Sequence, residues 1–74
     1  MRKPFRFTVE GCGAEGSVFH TSGDVVCEFQ DAWEAAMIET FNQLTHGRAV
    51  YGSPGVGCRG PYDIRRVVIE QVPQ

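Results

Sequence analysis

Three cysteines and two histidines are the side chains of this sequence best suited to nucleophilic or metal chemistry. Cys58 is the candidate reactive thiol, because Arg59 follows it directly and a neighbouring cation favours the thiolate form. A catalytic cysteine also needs a positioned base, and nothing in the spacing brings His20 or His46 to Cys58. We therefore predict no catalytic residues, and an enzyme is the least favoured class of function.

The cysteines show no pattern of a metal site. Cys12, Cys27 and Cys58 have 14 and then 30 residues between them, and no C-x-x-C pair occurs. These spacings match no familiar zinc motif, and an uneven, sparse set is untypical of a disulfide-rich secreted domain. The prediction is three reduced thiols, at least one of them buried, with no bound metal.

A glycine-rich stretch, Gly55 to Gly60, has the spacing G-x-G-x-x-G. In dinucleotide-binding proteins this spacing follows a strand and opens a helix, whose N-terminus holds the pyrophosphate. Here Pro61 and a predicted strand follow instead, and a predicted helix precedes. We therefore expect no nucleotide cofactor.

Charge is unevenly distributed along the chain. The start is basic, no Lys or Arg occurs between positions 7 and 47, and seven acidic residues lie in that interval. Such an acidic middle argues against a uniformly cationic nucleic-acid binder. The candidate anion-binding residues are Arg59, Arg65 and Arg66. A nucleic-acid-binding accessory domain remains the alternative function, with the basic set Arg2, Lys3, Arg6, Arg65 and Arg66.

The hydrophobic pattern predicts strands at both ends of the chain. Residues 3–10 alternate apolar and polar side chains, which is typical of a half-buried strand, and residues 62–72 form the last strand. Residues 17–29 allow two interpretations: one long strand with a bulge near Gly23, or two short strands joined by a Ser22-Gly23 turn. Turn chemistry favours the second interpretation slightly.

Between these strands the spacing of apolar residues predicts one helix. Asp31 is expected to cap its N-terminus, Glu34 completes a capping-box-like pattern, and His46 with Gly47 is expected to end it. Its apolar side chains are expected to pack on Phe5, Phe7, Val9 and the last strand; they are Trp33, Met37, Phe41 and Leu44. Trp33→Ala is then expected to cost about 3–5 kcal/mol.

Residues 47–62 contain five Gly and two Pro and predict a long, mobile loop without regular structure. The whole chain of 74 residues is then a single α+β domain, in which an antiparallel sheet of three or four strands packs on one helix in the order β-β-(β)-α-β. We expect the first strand to lie between the last strand and the strand before the helix. This arrangement separates the basic residues of the two chain ends.

The last strand carries apolar residues on both faces, whereas one helix covers only one face of a sheet. The predicted interface residues on the uncovered face are Ile64, Val68 and Val72. An exposed apolar face of this kind is typical of association, so we expect a small interaction module that forms a homo-oligomer through its sheet or binds another protein.

No apolar run reaches the roughly 20 residues that a membrane span needs, and no signal peptide is recognisable. The expected location is the cytoplasm.

Overall fold

The computed structural model describes residues 1–14, 16–51 and 60–73. Strand β1 (Lys3–Cys12) is followed by β2 (Val18–Cys27), helix α1 (Ala32–Thr45), the short strand β3 (Val50–Tyr51) and β4 (Asp63–Gln71). The strands form one sheet in the order β3-β2-β1-β4, with every neighbouring pair antiparallel. The predicted α+β fold and the central position of β1 are confirmed.

Strand β2 is continuous and has no turn at its centre. It pairs with β1 residue by residue, from Lys3 opposite Cys27 to Cys12 opposite Val18, without a register shift. The interpretation with a Ser22-Gly23 turn is therefore wrong, and so is the bulge near Gly23. A glycine in a strand often marks a position that another group approaches closely, and Gly23 is such a position.

Two glycines of the sheet lie directly opposite the two largest buried side chains. Gly23 pairs with Phe7, and Gly11 pairs with Phe19. A Cβ atom on Gly23 would lie 3.2 Å from the Phe7 ring, and one on Gly11 would lie 2.8 Å from the Phe19 ring. Each ring thus lies over the bare backbone of its partner, and both phenylalanines are fully buried.

The helix packs on this layer of rings through small side chains. Its buried residues recur at every fourth position: Ala32, Ala36, Thr40 and Leu44. The sheet contributes the bulk of the core with Phe5, Phe7, Val9 and Phe19. Trp33 is 58% exposed and Phe41 is 43% exposed, so the expected burial of Trp33 is wrong. The buried row of the helix thus lies one residue before the predicted row, because the phenylalanine rings already occupy the space that larger helix residues would fill.

Both predicted helix ends have the right position, but the predicted capping hydrogen bond of Asp31 is absent. Asp31 is the N-cap residue, but its side chain makes no capping hydrogen bond, and a 3-10 turn at Phe29–Asp31 leads into the helix instead. At the other end Gly47 adopts a φ of 68°, a conformation that favours glycine. The Arg48 N–H donates to the Gln43 carbonyl at 2.8 Å, and the Gly47 N–H donates to the Leu44 carbonyl at 3.4 Å. These bonds form a Schellman motif.

A bulge changes the faces of β4. The pairing of β1 with β4 is regular from Phe5 opposite Gln71 to Glu10 opposite Arg66, and then Gly11 pairs with Ile64. Arg65 is the extra residue. Because a bulge shifts the alternation by one position, Ile64 lies on the side of the helix, where it packs against the core. The prediction that Ile64 and Val68 share one face is therefore wrong.

The predicted loop at residues 47–62 contains a short strand. Residues Val50 and Tyr51 pair with His20 and Phe19 at the edge of β2. The expectation that this interval has no regular structure is wrong at these two positions. Residues 52–59, on which the predicted mobility depends, lie outside the described residues.

One buried polar contact joins the sheet to the helix. The hydroxyl oxygens of Thr21 and Thr40 lie 2.9 Å apart, and both residues are buried. A hydroxyl that loses its partner in a core costs its full desolvation penalty, whereas replacing both partners is close to neutral. The two threonines therefore act as a pair.

We predict that Gly11→Ala destabilises the fold. Its Cβ would clash with the Asp63 carbonyl oxygen as well as with the Phe19 ring, so a strand has to move. The expected loss is about 1–3 kcal/mol or more in the free energy of unfolding, measured by urea denaturation. Thr8→Ala, at an exposed position of the same strand, is the control and is expected to cost clearly less.

We predict that the threonine pair is strongly coupled in a double-mutant cycle. Thr21→Val leaves the Thr40 hydroxyl without its partner and costs about 1–3 kcal/mol, whereas the double variant Thr21→Val/Thr40→Val is close to wild type. Thermal denaturation of the four proteins gives the coupling. If the free-energy losses of the two single variants add up to the loss of the double variant, the two hydroxyls are not coupled and the prediction is wrong.

We predict that Trp33→Ala leaves the melting temperature nearly unchanged, because more than half of the side chain is already in water. Phe7→Ala removes a fully buried ring and is expected to cost about 3–5 kcal/mol, most of the stability of a small domain. Circular dichroism during heating compares them. A large loss at Trp33 would contradict the observed position of the buried row.

Candidate interaction site

Large apolar side chains form an exposed row along the helix, directly beside its buried row. They also recur at every fourth position, from the 3-10 turn to the third helical turn: Phe29, Trp33, Met37 and Phe41. We call these four residues the aromatic stripe. Phe29 is 79% exposed, and Met37 is half-buried and packs against the core. Side chains four positions apart meet on one helix face, so the stripe is a continuous apolar surface.

Neighbouring rings hold both ends of the aromatic stripe in place. The ring centroids of Phe29 and Phe5 are 6.3 Å apart, and those of Phe41 and Tyr62 are 5.9 Å apart. Tyr62 in turn lies edge-on to Phe19, with the centroids 5.7 Å apart. These distances are typical of favourable aromatic pairs. The stripe is therefore anchored to the core and keeps its shape while it remains exposed.

Two exposed acidic residues lie near the N-terminal end of the aromatic stripe. Asp31 and Glu34 are exposed near its N-terminal end, and Ile38, which is 63% exposed, widens the apolar area. Neither the 3-10 turn nor the helix contains a Lys or an Arg. The surface thus combines apolar contact area with negative charge.

The sheet face turned away from the helix is more polar. Arg6 Nε lies 3.2 Å from Asp24 Oδ1, and His20 Nδ1 lies 3.6 Å from Glu10 Oε1. Apolar residues on this face fall into separate groups, with Val18 at one end, Val68 near the centre and the neighbours Val26, Pro4 and Val72 at the other end. The face offers no apolar surface as continuous as the aromatic stripe.

The predicted interface residues therefore do not form one surface. Ile64 packs against the core on the helix side, whereas Val68 lies opposite Thr8 on the other face. Val72 follows the end of β4, and its N–H donates to the Pro4 carbonyl at 3.0 Å. All three are half-buried.

The two candidate anion-binding residues that the structure describes, Arg65 and Arg66, each lie next to an acidic residue. Arg65 Nε donates to Asp63 Oδ2 at 2.9 Å, and Arg66 lies opposite Glu10. Arg59 lies outside the described residues. At the opposite end of β1, a terminal nitrogen of the Arg2 guanidinium donates to the Val26 carbonyl at 2.7 Å. The basic residues of the two chain ends do not converge, which agrees with the predicted topology.

A shallow cleft of about 330 Å³ brings a different cysteine beside an arginine. Cys12 and Arg65 both line it, and Cys12 is half-exposed. The Cys12 thiol and the Asp63 carboxylate raise the pKa of the Arg65 guanidinium. The predicted reactive thiol, Cys58, lies outside the described residues. Sequence spacing could not have found the Cys12 pair, since the antiparallel register of β1 and β4 creates it.

Cys27 is buried, as expected of at least one thiol. Within residues 1–14, 16–51 and 60–73, no three His, Cys, Asp or Glu side chains are grouped closely enough to hold a metal ion.

Comparisons with known proteins give no relative for this chain. No family model matches it, and neither a curated protein nor a solved structure is significantly similar to it. Among the described residues, no helix is both long enough and apolar enough to cross a membrane.

Proposed function

We propose that this protein is a non-enzymatic interaction module whose aromatic stripe binds a protein partner. The observation that carries the proposal is the exposure of three rings on one side of the 3-10 turn and helix, Phe29, Trp33 and Phe41, with the half-buried Met37 between the last two. Monomeric domains seldom leave a large contiguous apolar patch in water unless something binds it. Aromatic side chains, Trp above all, are enriched among the residues that dominate binding energy at protein interfaces.

The core offers a reason why the stripe is not simply a poorly packed part of the fold. The helix already buries a complete row of small side chains, from Ala32 to Leu44, against the sheet. The stripe is therefore additional apolar surface on a helix whose packing is already satisfied. A sequence under no other demand would place polar residues there.

The charge around the stripe indicates the chemistry of the partner. Exposed Asp31 and Glu34 favour a segment with Lys or Arg beside its apolar residues. Two copies of the same helix packed in parallel would instead bring these carboxylates together, which is unfavourable. The partner we propose is an amphipathic helix with one apolar face and basic flanks.

The proposal predicts binding of a synthetic helical Leu/Lys peptide with one apolar face. Trp33 is the only tryptophan of the chain, so its fluorescence reports contact at the stripe without a label. We expect a blue shift and saturable binding, because the indole leaves water. A Leu/Glu peptide of the same pattern is expected not to bind, since its carboxylates repel Asp31 and Glu34.

Two matched variants locate the binding surface. Phe29→Ser removes an exposed ring of the stripe and is expected to weaken binding at least about fivefold, as loss of an interface anchor does. Val26→Ser removes an apolar side chain that is 56% exposed from the opposite face of the sheet and is expected to leave binding unchanged. Equal binding of both peptides, or equal effects of both variants, would contradict the proposal.

The alternative function, nucleic-acid binding, has weaker support. Arg6 is paired with Asp24 and Arg65 with Asp63, so the cations of the sheet are largely neutralised by neighbours. Titration with mixed-sequence single-stranded RNA at increasing salt tests it. Affinity that falls steeply with salt is the signature of phosphate binding and would favour this alternative over the aromatic stripe.

A further inference from the structure

We propose that two copies of this chain pair edge to edge through β4, antiparallel, with Val68 opposite the partner's Val68. This surface differs from the aromatic stripe, so the inference goes beyond the proposed function and stands or fails separately. Two sheets then become one continuous sheet, and both helices lie on the same side of it.

The outward-facing backbone groups of β4 follow from one hydrogen bond. The Val72 N–H donates to the Pro4 carbonyl of β1 at 3.0 Å. Because the direction of the backbone groups alternates along a strand, Val68 also faces β1, whereas Val67 and Ile69 face away from it. Among the described residues, no hydrogen-bond partner lies against the outward groups of Val67 and Ile69. They form an edge that can accept another strand.

The opposite edge of the sheet is closed by its own chain. Strand β3 pairs with Phe19 and His20 of β2. Beyond β3, the Gln43 amide donates to the Ser22 carbonyl at 2.8 Å, and the Arg2 guanidinium donates to the Val26 carbonyl at 2.7 Å. Natural proteins block sheet edges with such contacts. Within residues 1–14, 16–51 and 60–73, the outer backbone groups of β2 are thus covered, whereas those of Val67 and Ile69 in β4 are open.

The charges of β4 select one register for two copies. With Val68 on the two-fold axis, Arg66 lies directly opposite the partner's Glu70, and the same pair recurs on the other side of the axis. A shift that places Val67 on the axis leaves Glu70 opposite an isoleucine, and one that places Ile69 there sets Glu70 opposite a valine. Opposite charges directly across two strands are stabilising, so only the Val68 register satisfies both charged side chains.

The same register also matches the two faces of the sheet. Val67 then lies opposite the partner's Ile69 on the helix side, where both residues are only half-buried in the single chain. The pairing buries them further and joins the two cores beneath the helices. The helix contacts β2 more than β4, so it leaves the β4 edge accessible. A small domain gains stability from such burial because its own core is thin.

The first test is the mass in solution. Light scattering across the micromolar range is expected to give twice the chain mass of 8.2 kDa. Phe29→Ser is expected to dimerise equally well, because the aromatic stripe takes no part. A single-chain mass throughout the range would overturn the proposal while leaving partner binding at the stripe untouched.

Cross-linking tests the register. Val68→Cys places two thiols at a non-hydrogen-bonded position on the axis, where Cα atoms are about 4.5 Å apart and a disulfide can form. Under mild oxidation with a thiol-specific disulfide reagent, we expect a covalent dimer in excess of the wild type, whose native thiols set the background. Thr8→Cys, directly opposite Val68 but on the inner strand β1, is the control. Equal cross-linking of the two variants would overturn the Val68 register.

A charge exchange tests the predicted ion pairs. Arg66→Glu turns two attractive pairs into two repulsive ones and is expected to raise the dimer dissociation constant about tenfold or more. Arg66→Glu/Glu70→Arg is expected to restore dimerisation. Because the exchange sets like charges opposite Glu10 and Arg6 of the same chain, circular dichroism first has to show that this variant is folded. Arg65→Glu makes the same change of charge at a position opposite the partner's Gln71 and is expected to have a smaller effect. Absence of rescue in the double variant would overturn the pairing of Arg66 with Glu70.

Discussion

The packing of phenylalanine rings over opposing glycines is the constraint on which the rest of this fold depends. Phe7 covers Gly23, and Phe19 covers Gly11, across the same pair of strands. Each ring gains contact area that a larger partner residue would deny it, and each glycine is shielded from water. The sheet thereby provides most of the volume of the core by itself.

This arrangement determines how the helix lies. A sheet face already filled with rings accepts small helix side chains, and Ala36 and Thr40 are both fully buried. The large residues next to them, Trp33 and Phe41, are displaced toward solvent. The aromatic stripe is thus a consequence of the core, and it gives a domain of this size an apolar surface without weakening its interior.

The two edges of the sheet differ for reasons that are equally local. Side chains from the helix and the N-terminus, Gln43 and Arg2, reach the outer carbonyls of β2. At β4 the bulge at Arg65 turns Ile64 into the core and leaves Arg66 on the polar face. The spacing of Arg66 and Glu70 about Val68 is then symmetric, which is what pairing of identical strands requires.

Alternation, helical spacing and stop signals are local properties of the chain, so the two terminal strands, the helix and its end at Gly47 could be predicted from the residues alone. The continuity of β2 and the short strand β3 could not, because both depend on pairing with another strand. The side of the helix that is buried also depends on tertiary contacts. Rows through Ala36 and through Trp33 both have helical spacing, and the rings of the sheet choose between them. The pairing of β2 with β1 also shows that Gly23 lies within a strand. A glycine beneath a ring and a glycine in a turn cannot be told apart in a sequence, because the difference depends on the partner strand.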